Sequence, residues 1–134
     1  METTVRVVKN VQFVVEARSH HIVCDQPLES GGDDGGMTPP ELMLASLATC
    51  AAYYVVQYLK FQKMSSEGLE VKVEADKATN PPRLGVFRIL VDAPMIHDGR
   101  HREGVRKAAE KCLIHNTLLH PPAIEINVGT PVRV

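Results

Sequence analysis

The sequence predicts an α+β fold, mainly antiparallel, in which sheet packs around one long buried helix. Three observations carry that expectation. Between Leu42 and Leu59 only Ser46, Thr49 and Gln57 are polar, and no Gly or Pro interrupts the run. A helix that is apolar on nearly every side needs cover on more than one of them. The segment Leu69–Ala75, LEVKVEA, alternates apolar and polar residues as a half-buried strand does. The inferred order of elements, β-β-β-α-β-β-α-α-β, sets strands beside strands rather than alternating them with helices. With 134 residues the chain has little material to enclose a whole helix, so a second copy is expected to help.

In chain order, Thr3–Val8 and Val11–Glu16 read as strands parted near Asn10, on their β-branched content. Arg18-Ser19-His20 is the expected hairpin tip. His21–Asp25 returns as a third strand, carrying Cys24 as a small core hydrophobe. The connector PLESGGDDGGMTPP follows. Thr38 and Glu41 then have the spacing of a capping box, and Pro39 occupies the first turn, where a missing N–H is tolerated. Lys63–Gly68 ends the helical pattern. After the strand Leu69–Ala75, Asn80-Pro81-Pro82 turns the chain and Gly85–Val91 returns as its hairpin partner, ended by Ala93-Pro94. A second helix is expected from about Asp98 to Lys111, with Val105, Ala108 and Ala109 as its apolar stripe. Leu113–Leu119 adds a helical turn or two before Pro121-Pro122. Ala123–Val128 is expected as a last strand, with Pro131–Val134 as an edge extension.

The composition bounds the function. Apolar residues make up 44% and charged residues 23%, as in ordinary soluble globular proteins, and one domain over residues 1–134 is expected. A net charge of -1 and the absence of Trp give no reason to expect a nucleic-acid partner. The apolar run approaches the lower length limit of a membrane span. Its Ala and Tyr content, its hydroxyls and the amphipathic strand patterns on either side favour a soluble core helix, so no membrane partner is expected. The N-terminal METTVRVVKN lacks the apolar segment of a secretory leader, which makes the cytoplasm the expected compartment.

The glycine-rich connector does not read as a phosphate loop. Such a loop needs Gly-Lys-Ser/Thr at the helix start, whereas Pro39, Pro40 and Glu41 stand here. It reads as a mobile connector or lid. Asp33 and Asp34 lack the other ligands of a calcium loop. Six histidines, among them His97, His101 and the adjacent His20-His21, show no recognised ligand spacing, so neither a metal nor a cofactor is expected. His115, three residues after Cys112, reads as a surface residue that could also tune that thiol. Cys24, Cys50 and Cys112 are widely spaced and odd in number, which fits neither a zinc knuckle nor a secreted disulfide framework. The pattern permits a thiol enzyme.

Two stretches resemble the OsmC/Ohr family. TPPELMLASLATC (Thr38–Cys50) is similar to its helix-opening motif, a Pro-x-Glu-Leu start leading through an Ala-rich turn to a cysteine. KCLIHNTL (Lys111–Leu118) is similar to its second cysteine motif. The GGDDGG connector and the strand starting at Gly68-Leu69 also look like the family, and the likeness runs through nearly the whole chain in order. The resemblance implies an OsmC-like fold forming an intertwined homodimer, with the long helices central and sheets outside. It also implies a thiol peroxidase acting on organic hydroperoxides and recycled by an external dithiol. Carried over by position, Cys50 is the peroxidatic and Cys112 the resolving cysteine. Arg18 is the cation that lowers the thiol pKa, and Glu41 the carboxylate that orients it.

The chain departs from the better-characterised peroxidases at two points. ARSHH does not reproduce their glycine-rich turn, and Pro40 stands where their catalytic Glu lies, ten residues before the cysteine; Glu41 is nine before it, as in a less characterised branch. At ~100° per residue, Glu41 and Cys50 fall on opposite faces of a regular helix, roughly 13 Å apart along its axis. Glu41 therefore either caps its own helix or acts across a dimer interface. The competing expectation is a non-catalytic module that binds an apolar ligand between subunits, or a slow redox sensor.

Overall fold

The computed structural model describes residues 1–129. Three strands come first: β1 (Thr4–Lys9), β2 (Gln12–Ala17) and β3 (His20–Cys24) form an antiparallel sheet in that order. A single 3-10 turn, Leu28–Ser30, interrupts the connector to α1 (Pro39–Phe61). Then β4 (Glu70–Ala78) and β5 (Arg83–Asp92) pair as an antiparallel hairpin, and α2 (Gly99–Ala109) and α3 (Leu113–Leu119) follow. The fold is α+β with antiparallel sheets, as the sequence predicts.

Local chemistry sets the ends of α1. Thr38 Oγ1 accepts from Glu41 N at 3.4 Å, and Glu41 Oε2 accepts from Thr38 N at 2.8 Å, so both partners of the capping box are engaged. Leu47, Ala51, Val55 and Leu59, spaced four apart, form its buried stripe. Val55 and Leu59 join Ile96 and Val105 in one apolar cluster, with Val91, Ala93 and Ala109 packed against it. Tyr58 Oη and His101 Nδ1 lie 2.9 Å apart and tie α1 to α2. The helices come this close because residue 104 is Gly: a Cβ there would lie 2.1 Å from Tyr58 Oη.

Cover for α1 is narrower than the sequence suggests. The β4–β5 hairpin, α2 and α3 pack on it, while the N-terminal sheet has no comparable contact with any of them. Met43, Tyr53 and Phe61 of α1 remain exposed. By length and composition alone α1 could cross a membrane, but its buried stripe makes it the core helix of this chain.

The expected last strand is corrected. Ala123–Val128 has no strand structure, although Ile124, Ile126 and Val128 alternate with polar residues. All three are exposed, and among the described residues no sheet edge pairs with the segment. Pro131–Val134 lies outside the described residues. The second helix ends at Ala109, two residues short of the expected Lys111, and both hairpin strands extend past the expected bounds.

The glycine-rich connector is clasped rather than free. Asp25, 1% exposed, directs its carboxylate into it. Oδ2 accepts from Gly35 N at 3.0 Å, Gln12 Nε2 at 3.1 Å and Asp33 N at 3.3 Å; Oδ1 accepts from Gln26 N at 2.8 Å. Burial opposes ionisation, but these four donors outweigh it and hold the carboxyl below its ordinary value of 3.8. Lys9 pairs with Asp33 at 3.1 Å, and Asn10 Nδ2 donates to the Gly31 carbonyl. A Cβ at Gly36 would lie 2.3 Å from the Val23 carbonyl oxygen, so glycine is needed there for a close backbone approach. These contacts overturn the expectation of a lid.

Candidate functional site: a thiol pair between two helices

Cys50 lies midway along α1, beside Ala51 of the buried stripe, and Cys112 occupies the N-cap position of α3. Packing of α3 on α1 brings the two thiols together, and both are free. Cys112 is fully buried, while Cys50 is half-buried. Cys112 Sγ accepts from His115 N at 3.3 Å.

The same packing divides the two sulfurs electrostatically. Burial alone raises the pKa of either thiol, because it penalises the thiolate. At Cys50 this is outweighed by hydrogen bonds from the Cys112 thiol and from the Ile114 and Leu113 backbone N–H groups, and the pKa falls below its ordinary 9.0. At Cys112 burial, donation of its proton to Cys50 and the nearby Cys50 charge all act upward, and the pKa rises above 9.0. When the pair ionises, Cys50 therefore loses its proton before Cys112.

Such a pair can do chemistry that an isolated core cysteine cannot. A thiolate is a nucleophile and the first rung of reversible oxidation, and a second thiol beside it can convert a sulfenic acid to a disulfide. An apolar cavity of about 700 Å³ adjoins the helix crossing. Met43 and Leu47 of α1 and Leu118 and Leu119 of α3 line it, and Leu47 stands one turn before Cys50.

The other predicted site residues lie elsewhere within the chain. Arg18 is exposed at the β2–β3 turn with φ of 56°, and Glu41 serves the α1 cap. Among the described residues neither is hydrogen-bonded to Cys50 or Cys112. Cys24, buried at the end of β3 opposite Phe13, is also separate from the pair and has the expected core role. No group of three or more His, Cys, Asp or Glu that could hold a metal occurs among the described residues. Sequence reasoning missed the α3 backbone N–H groups as the donors to Cys50. The available signal was Cys112 itself, directly before a helical segment, where its thiol can act as a cap.

Comparison with known proteins accords with this architecture. The family model for OsmC-like protein matches residues 31–127. Among solved structures, an OsmC-like protein from Mycoplasma pneumoniae has 18% identity over 90% of this chain and 87% of its own, with a TM-score of 0.70. An organic hydroperoxide resistance protein OsmC from Legionella pneumophila has 21% identity over 87% of each chain, with a TM-score of 0.63. A candidate osmotic stress induced and detoxification response protein from Psychrobacter arcticus has 17% identity over 86% of this chain and 85% of its own, with a TM-score of 0.78. These likenesses concern the fold. The comparison with curated proteins returned no match.

Proposed function

The chain belongs to the OsmC-like family, and on that footing we propose that it is a thiol-dependent peroxidase of organic hydroperoxides. The observation that carries the reading is the Cys50–Cys112 pair, with its pKa values displaced in opposite directions. A general redox or stress role also accords with the hydroperoxide resistance protein of similar fold.

The Cys50 thiolate attacks the terminal oxygen of a hydroperoxide. The O–O bond breaks, sulfur takes up that oxygen as sulfenic acid, and the departing alkoxide takes a proton to leave as the alcohol. The Cys112 thiol then gives up its proton and its sulfur attacks the Cys50 sulfur, so that an S–S bond forms and water leaves. An external dithiol reduces this disulfide by two exchange steps and is itself oxidised. The apolar cavity lined by Leu47, one turn before Cys50, suits the organic part of the peroxide.

The protein works as a homodimer in this proposal. Three uncovered apolar features support it: the exposed side of α1, one side of the N-terminal sheet, and the strand-patterned Ile124–Val128. In the dimer Arg18 reaches Cys50 of the other copy, and Glu41, whose Oε2 is engaged by Thr38, turns Oε1 to the guanidinium. The separation of Arg18 and Glu41 from the thiols within one chain favours a second reading, a slow redox sensor.

Turnover of cumene hydroperoxide by the reduced protein with excess dithiothreitol tests both. Rapid consumption should vanish in Cys50→Ser, and Cys112→Ser should stall with Cys50 oxidised. Consumption that is slow and equal in natural protein and Cys50→Ser leaves the sensor reading. Alkylation by iodoacetamide tests the division of charge: at pH values below 9.0 Cys50 should react well before Cys112. The reverse order would contradict the assigned roles.

A further inference from the structure

A second cavity, of about 490 Å³, lies between β5, α2 and α3. Neither Cys50 nor Cys112 lines it. Its apolar wall includes Val91, Ile96, Val105 and Ala109, which belong to or flank the buried cluster, so the cavity is an open side of the core.

Two polar groups meet this wall without partners of their own. The Arg102 guanidinium has no acceptor among the described residues, whereas neighbouring Arg106 is held by both Glu103 and Glu110. His115 lines the cavity too, and its Nδ1 is buried with no hydrogen-bond partner. A buried ring nitrogen left unpaired is costly, and such atoms are normally matched by protein, water or ligand. Arg102, which is exposed, and Ala109 are the first and last α2 residues at the cavity wall, with Val105 between them; they are roughly 10 Å apart at 1.5 Å per residue, and His115 follows beyond Ala109. Two carboxylates also line the cavity, Asp92 and the Arg106-paired Glu110, and they disfavour a second anionic group in the ligand.

We propose that this cavity binds a small amphiphile with an anionic head at one end, an apolar middle, and a neutral hydrogen-bonding group at the other. The head pairs with Arg102, the middle lies against Val91, Ile96 and Val105, and the far group hydrogen-bonds His115 Nδ1. The volume falls within the range of small-molecule sites. His115 also lines the larger cavity and its backbone N–H donates to Cys112 Sγ, but neither thiol lines this cavity, and the inference does not depend on the peroxidase reading.

Calorimetric titration of the purified protein, in its own oligomeric state, with ω-hydroxydecanoate tests this. Saturable binding of one molecule per chain is expected, with decanoate and decanediol each weaker. Arg102→Gln should weaken ω-hydroxydecanoate by roughly tenfold and leave decanediol unchanged. His115→Phe should bring ω-hydroxydecanoate and decanoate to equal affinity. Ala109→Phe, checked for folding by circular dichroism, should abolish binding. Cys50→Ser should bind as the natural protein does, so that failure here and failure of the peroxidase proposal remain distinguishable. Absence of saturable binding, as when a second copy fills the cavity, overturns the inference. Equal affinity for ω-hydroxydecanoate and decanediol, or binding that survives Arg102→Gln and Ala109→Phe unchanged, does the same.

Discussion

Two antiparallel sheets in this chain share one alternation and differ in what covers it. In β4–β5, Val71, Val73 and Ala75 stand opposite Val91, Ile89 and Phe87. That apolar side is half-buried, and α1 packs on the hairpin. In β1–β3, Val5 and Val7 stand opposite Val15 and Phe13, with Ile22 beyond Val15, which makes an equally apolar side. No helix of the chain packs on it to a comparable extent, and Val7 is 67% exposed. Alternation specifies which side of a sheet is apolar but not what will cover it. The hairpin draws its stability from the shared core. The first sheet relies on its ladder, on the Asp25 clasp and, in our proposal, on a second copy.

The largest expected contrast comes from trimming each side. Leu59, 1% exposed, lies in the core; Leu59→Ala should cost about 2–5 kcal/mol in urea denaturation. Val7→Ala, measured at protein concentrations low enough to dissociate a dimer, should stay within about 0.5 kcal/mol. Equal losses would mean that the first sheet has a core of its own. A charge on the bare side should act on association instead. Val7→Lys is expected to weaken self-association by about tenfold or more in sedimentation, with the circular dichroism spectrum unchanged. An unaltered sedimentation profile would move the dimer contact away from this sheet.

Asp25→Asn probes the clasp. The new amide can present an NH2 group where three donors converge on Oδ2, so the connector should become sensitive to proteolysis while the α1 core is retained. The pH dependence has a defined sign. A carboxyl held below 3.8 in the fold contributes stability that is fully present above that value and is lost as pH falls through the lowered pKa. The natural protein should lose that increment in acid, and Asp25→Asn should not. A modest effect is expected at the α1–α2 contact, where Tyr58→Phe removes one hydrogen bond, worth about 1 kcal/mol by thermal or chemical denaturation.

What could be read from the sequence follows the same division. The start of α1 was legible because its signal is local: Thr38 and Glu41 act on each other's backbone three residues apart. The hairpin was legible because alternation and a Pro-rich turn specify it without reference to the rest of the chain. Ala123–Val128 has the alternation of a strand but pairs with no sheet edge among the described residues, and alternation carries no information about an edge. Asp25 looked like an ordinary acid at a strand end. Its donors come from Gln12, behind it in sequence, and from a loop whose shape the carboxylate itself sets. The pairing of Cys50 with Cys112 came from family resemblance, since no spacing rule brings residues of two different helices together. The division of charge between them was not legible at all. It arises from the thiol–thiol hydrogen bond and from backbone N–H groups of α3, whose placement depends on the packed structure.

The Asp25 clasp also bears on how two chains would meet. It binds the connector to β2 and to the end of β3, and Lys9 and Asn10 add further ties from the β1–β2 turn. Sheet and connector therefore form a preorganised arm that is ordered before any encounter. An arm of that kind surrenders less conformational freedom on docking than one carried on a loose tether, so more of the contact energy remains as affinity. Loosening the clasp would then weaken association at a distance, without altering a single residue of the contacting surface.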